Sequence, residues 1–357
     1  MEKLLFLEQQ AKGQYFSASC PGYKKDDFSV SNRLHRNHFN WNRFGRNWLG
    51  WLLFLAVSFG LFLLLQRLVM PKYQSSLLEG ALIREYYASP KTHDILFFGD
   101  CEVYESFSPT VLEEESGLSS FIRGSASQRI WQSYYLMEET LTYETPKLFV
   151  FNVLAMQYGD PVREEYNRMT LDGMRWSGSK LRSVLASRNP EESLISYLFP
   201  LLRYHDRWSE LTAEDVTCLF HTRPVSEQGY LPQEGVKPAG QIPEGKPLAD
   251  YQFPERCYSY LDQMRMLCEK EGITLILVKA PSLYPYWYPE WEEQIEDYAE
   301  RYDLPYFNFL EAIPEIGLDF QTDTYDAGLH LNRTGAEKLT RYFARCLKEL
   351  QDSISYP

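Results

Sequence analysis

The chain has 357 residues, with 36 Lys and Arg against 49 Asp and Glu, and a formal net charge of −13. Hydrophobic residues make up 44% and aromatics 15%, enough for a packed core, which excludes a mainly disordered chain. No broad basic footprint is present, which argues against a nucleic-acid partner, and no heptad, collagen or solenoid period appears.

The charge is unevenly placed. Residues 1–47 carry +4 and residues 48–357 carry −17. Between them, residues 48–65 read WLGWLLFLAVSFGLFLLL with no charge. As a helix, such a run spans a hydrocarbon core of about 30 Å. Arg33, Arg36, Arg43 and Arg46 precede it, and Arg67 and Lys72 follow. This bias predicts a cytoplasmic N-terminus, with Trp41, Trp48 and Trp51 at that interface. The run starts too far from Met1, and lacks the small-x-small cleavage site, for a signal peptide. The predicted plan is a basic cytoplasmic tail (1–47), a transmembrane helix (48–70), a linker or helix (71–92) and an extracytoplasmic domain (93–357). The predicted location is the cell membrane, single-pass.

The cysteines are Cys20, Cys101, Cys218, Cys257, Cys268 and Cys346, with no CxxC and no Cys/His spacing suited to zinc. A disulfide framework is not indicated, one pair stays open, and neither a metal nor another cofactor is expected.

From residue 93 strand and helix signals alternate. Residues 94–99 (DILFFG) form an apolar run ending in Gly, a buried strand. Residues 106–117 follow as loop and helix, with Pro109 suited to a first turn. Residues 119–123 (SSFIR) predict a second strand, 128–142 a helix, and 147–154 (KLFVFNVL) a third strand. Gly272 ends a helix before a fourth strand at 273–278 (ITLILV). A helix at 290–301, a fifth strand within 303–309 and an amphipathic helix at 334–351 complete the pattern. The implied fold class is α/β, a three-layer α/β/α sandwich around a mainly parallel sheet with right-handed crossovers. Residues 160–250, rich in Arg, Trp, Tyr and Pro, interrupt the rhythm. They predict a partly helical insertion over the carboxyl edge of the sheet, where open α/β sheets bind ligands.

The strand ends carry the chemistry. The first ends Gly99-Asp100-Cys101, the second Arg123-Gly124-Ser125, and the third holds Asn152 near its end. Asp326 and His330 precede the last helix. This order resembles the SGNH/GDSL hydrolase superfamily over residues 93–350, the insertion apart. The resemblance implies a flavodoxin-like SGNH fold, a nucleophile at Cys101, oxyanion-hole groups at Gly124 and Asn152, and a His330–Asp326 pair. Two departures stand out. Cys101 replaces the family's Ser, and a thiol supports acyl transfer equally well. The family's Asp lies three residues before its His, where Ala327 stands here, so Asp326 is the orienting acid with Asp323 as the alternative. Ser106 and Ser108 lie too far past the strand end to be preferred.

Bland readings stand beside these. Cys101 could be core, Gly124 a turn glycine, Asn152 a backbone cap and His205 a solvated side chain. Asn332 suits the N-cap of the last helix. Glu102, Arg123, Arg175, Trp176 and Lys279 are candidate substrate-binding residues. Arg and Trp mixed in this way suit a carbohydrate or anionic polymer.

Tethering to a membrane also resembles the lipoteichoic-acid D-alanylation protein and the acyltransferase-associated proteins of exopolysaccharide O-acetylation. That likeness implies a bacterial cell-envelope polysaccharide or acyl donor as partner, and a membrane-bound acyltransferase as a second. Three function classes follow: an esterase or acyltransferase, a catalytically inactive binding or scaffold domain, and an adaptor whose tail (1–47) contacts a cytoplasmic protein.

Overall fold

The computed structural model describes residues 41–71, 79–221, 224–240 and 244–355. Arg33, Arg36, Lys72, Cys20 and most of the basic tail lie outside the described residues. Two compact units divide the chain, Met1–Ala56 and Val57–Pro357. Helix α1 (Trp41–Val69) begins in the first and ends in the second. Its stretch Trp48–Val69 is 22 residues long and apolar enough to cross a membrane, and side chains from Trp48 onward are mostly exposed. At 1.5 Å per residue that length is about 33 Å. Pro71 follows its last turn, where it cannot continue a helix.

The second unit continues with α2 (Glu79–Glu85), β1 (Ile95–Gly99), α3 (Cys101–Tyr104), α4 (Pro109–Ser116), β2 (Ser120–Gly124), α5 (Ile130–Thr140) and β3 (Leu148–Asn152). The inserted region holds α6 (Glu164–Leu171), α7 (Gly178–Ser187), α8 (Leu194–Leu198), α9 (Pro200–Tyr204) and α10 (Ala213–Thr217). Then come α11 (Glu255–Glu271), β4 (Thr274–Lys279), α12 (Pro289–Arg301), β5 (Tyr306–Asn308), α13 (Ile313–Ile316) and α14 (Arg333–Ser355). Local chemistry sets the boundaries. Ser108 caps α4, accepting the Val111 N–H, with Pro109 in the first turn. Gly272 ends α11 at φ +70°, a left-handed conformation costly for other residues.

All five strands are parallel, in the order β2-β1-β3-β4-β5. Strand order reverses between β1 and β3, so the ligand crevice of such a sheet opens at their carboxyl ends. The residues there are Asp100, Cys101 and Asn152. Alternation along the strands divides the core in two. Phe98, Phe151 and Leu277 join the cluster with α5, α11 and α12, whereas Phe97, Val150 and Val278 join that with α4 and α14.

The inserted region divides into two parts. Its helices α6 and α7 pack on α2 and α5, and α6 reaches the carboxyl end of β2 through Thr170 and Ser125. Its extended part, 226–240, runs beside β2 at Ile122 and then along the loop that carries Asp326 and His330. Cys101, Cys257, Cys268 and Cys346 are free thiols.

Candidate active site

The turn from β1 into α3 places the thiol. Asp100 caps α3, its Oδ1 accepting the Glu102 N–H at 3.2 Å, so Cys101 takes the first helical position just past the strand. Gly124 lies level with Gly99 in the sheet. A Cβ on Gly124 would meet Gly99 O and Tyr104 Cδ1 at 3.1 Å, so a side chain there would crowd this turn.

The second half of the site is a loop closed by a bridge between Thr324 and Leu331. His330 Nδ1 lies 2.6 Å from Asp326 Oδ2, and the His330 N–H donates to Asp326 Oδ1 at 2.8 Å. Between these two residues the loop turns through Ala327 and Gly328, both left-handed, at φ +71° and +97°. Asp323 is committed elsewhere: it is buried, accepts Lys338 Nζ at 2.7 Å and accepts the Asp319 N–H at 2.8 Å. Asn332 caps α14, its Oδ1 accepting the Gly335 N–H at 3.1 Å.

Glu105 joins the two halves. Its Oε2 lies 3.3 Å from His330 Nδ1 and accepts the Tyr325 hydroxyl at 2.9 Å. The Tyr325 ring stacks over the imidazole, with centroids 6.1 Å apart. Burial alone would lower the pKa of His330. The Asp326 hydrogen bond and the charges of Glu105 and Asp326 outweigh it and hold the imidazole above its ordinary 6.5. A base raised on folding stabilises fully below 6.5, and that contribution fades as pH climbs through the higher folded value. His330→Ala is therefore expected to cost more stability near pH ~5 than near pH ~9. Denaturant melts at both pH values check this, and an equal loss at both would refute it.

Enclosure, then the charges of Asp100, Glu105 and Glu102, hold the Cys101 thiol well above its ordinary 9.0. Burial and the Glu102 charge raise Asp100 itself to about 6. No hydrogen bond joins Cys101 Sγ to His330 among the described residues. With Nδ1 turned to Asp326, Nε2 is the imidazole nitrogen left for proton transfer.

Beneath α3 lies a buried polar network. Glu102 is paired with Lys279 at 3.1 Å, and the Lys279 side chain is wholly buried. Lys279 Nζ also donates to Ala280 O at 2.6 Å and Ser282 Oγ at 3.1 Å, while Ser282 bonds to Glu102. Asn152 Nδ2 donates to Glu102 Oε2 at 2.9 Å, and its Oδ1 accepts the Ala280 N–H at 3.3 Å. One amide hydrogen of Asn152 is thus held by Glu102.

The residues expected to bind substrate have the following surroundings. Glu102 and Lys279 satisfy each other in the interior. Arg123 points to the α5 face of the sheet. It is fully buried, pairs with Glu139 at 2.7 Å, donates to Leu136 O and Thr140, and stacks on Tyr86 at 4.1 Å. Arg175 lies over Tyr87 at 4.6 Å, and Trp176 over Lys180 at 4.5 Å, on the wall of a different cavity. His205 is exposed. The sequence reading passed over Glu105 and Tyr325, and also Arg129, which lies over Tyr158 at 4.3 Å beside Asp100. A signal existed for Glu105, which follows Cys101 by four residues, one helical turn.

No known family model matches the sequence, and no curated protein does. Among solved structures, the chain is similar to a GDSL-like lipase of Bacteroides thetaiotaomicron at 12% identity, covering 76% of this chain and 99% of that one, with a TM-score of 0.36. A proposed acylhydrolase of Bacteroides fragilis aligns at 11% identity over 75% and 94% of the two chains, TM-score 0.37. A point mutant of the esterase AlinE4 aligns at 14% identity over 73% and 98%, TM-score 0.28. By its strand order and its two flanking helical layers, the domain is a three-layer α/β/α fold around a five-stranded parallel sheet.

Proposed function

We propose that the chain is a membrane-anchored, extracytoplasmic esterase or acyltransferase that uses Cys101, His330 and Asp326 on an acyl ester of a cell-envelope glycan or polymer. The observation that carries this reading is the 2.6 Å Asp326–His330 pair, linked through Glu105 to the helix that begins at Cys101. The apolar span of α1 supports anchoring, and the arginines before it support a cytoplasmic N-terminus with the domain outside.

In the proposed reaction, Cys101 Sγ attacks the acyl carbonyl and His330 Nε2 takes its proton. The new S–C bond forms, the ester C–O bond breaks, and the leaving alkoxide receives that proton. Water or an acceptor hydroxyl then gives a proton to His330 and attacks the thioester, which restores the thiol. Asp326 fixes the tautomer and balances the imidazolium. The Gly124 and Cys101 N–H groups and the Asn152 amide are the oxyanion donors, each worth about 3 kcal/mol.

A second reading is an inactive binding or scaffold domain in polymer biosynthesis, and the burial and neighbouring carboxylates that raise the Cys101 thiol favour it. An activated acyl ester separates the two. Transfer to Cys101, seen as a thioester by intact-protein mass spectrometry and lost in His330→Ala, supports catalysis. Equal labelling of the parent and His330→Ala supports the binding reading.

A further inference from the structure

We infer that the second unit contains a separate binding site, where α1 ends, for the phosphate head of an anionic membrane lipid. The site is a cavity of about 930 Å³. Four cations line it: Arg67 just past the apolar run, Arg84 on α2, Arg175, and Lys180 on α7. The inference rests on reading α1 as a membrane span, and it is independent of any chemistry at Cys101.

The last turns of α1 tie the cavity to the apolar span. Phe62 packs on Phe199 with ring centroids 5.7 Å apart. Gln66 Oε1 accepts the Leu201 N–H, and Val69 O accepts from Arg207 Nη1, both at 2.6 Å. Pro200, between Phe199 and Leu201, is on the cavity wall. The cavity therefore lies level with the end of the apolar span, where lipid phosphates sit.

The wall's charges are unbalanced. Of its two carboxylates, Glu85 bonds to Val225 N and Ser226 Oγ, and Asp172 accepts the Tyr204 hydroxyl at 2.9 Å and faces Arg168. Lys180 is 5% exposed, and its Nζ donates to Met174 O at 3.0 Å below the Trp176 ring. It makes no salt bridge among the described residues, and burial pushes its pKa down to about 8, the charge of Asp172 offsetting this only in part. A buried ammonium with no carboxylate in direct contact gains from a phosphate. Met70, Tyr87 and Trp176 give the same cavity an apolar wall. Nearby, Ile195, Phe199 and Leu202 expose apolar surface along which acyl chains can lie.

Native mass spectrometry of the full chain in detergent, offered equal phosphatidylglycerol and phosphatidylcholine, tests this. The expected result is at least a tenfold preference for phosphatidylglycerol, lost in the double variant Lys180→Gln/Arg175→Gln. Arg175→Gln alone, at an exposed side chain, is expected to reduce the preference severalfold. It keeps the test decisive if the double variant fails to fold. Equal binding of both lipids, or an unchanged preference in Arg175→Gln, overturns the inference. Full displacement by millimolar inorganic phosphate also overturns it, assigning the cavity to free phosphate. Carbonate extraction of the chain from membranes overturns the anchored reading separately.

Discussion

Cys101→Ala and His330→Ala are each expected to lower turnover of an activated ester by about 10⁴-fold or more, with the fold intact. The two residues act as one unit, so the double variant is expected to be no worse than either single one. Asp326→Asn is expected to cost a comparable factor, since the amide leaves the imidazole in the wrong tautomer. Asp323→Asn is expected to leave turnover near the parent's, because Asp323 is bound to Lys338 and the Asp319 N–H. Ester hydrolysis followed by absorbance, with circular dichroism of each variant, checks the series. Turnover is expected to rise with pH, since His330 must be neutral to accept a proton and its folded value lies above 6.5. Parent-like turnover in Cys101→Ala would remove Cys101 from the reaction.

The largest stability loss is expected at Lys279. Lys279→Ala leaves the buried Glu102 carboxylate beside Asp100 without its cation, and breaking such a pair costs about 3–5 kcal/mol. Replacing both partners, as Glu102→Gln with Lys279→Met, is expected to recover most of that loss, because no unpaired charge stays behind. Urea unfolding of the three variants measures this. A loss below about 1 kcal/mol in Lys279→Ala would show that Glu102 is already neutral or hydrated.

Much of the fold was legible because short apolar runs bounded by glycine leave few alternatives. The runs at 94–99 and 273–278 became β1 and β4 within a residue or two. The sheet order was not legible, since it is decided by which crossovers pack together. At the site, Asp326 and His330 were legible because acid and base share one tight loop. The faces taken by Arg123 and Lys279 were not legible, because a strand-end cation reads the same from sequence whichever face its side chain takes. Arg123 pairs with Glu139, sixteen residues on, and Lys279 with Glu102, 177 residues away, separations that leave no local pattern. The wall on which Arg175 and Trp176 lie is built by α2, α7 and the end of α1, which no motif joins.

The acidic surroundings of Cys101 have a consequence for its chemical lifetime. Oxidants and alkylating agents react with thiolates, and burial, reinforced by Asp100, Glu105 and Glu102, keeps this sulfur protonated at neutral pH. A resting Cys101 would therefore resist sulfenic acid formation and adventitious disulfides. Its reactivity would then be released only when a bound acyl group brings His330 into play as the proton acceptor.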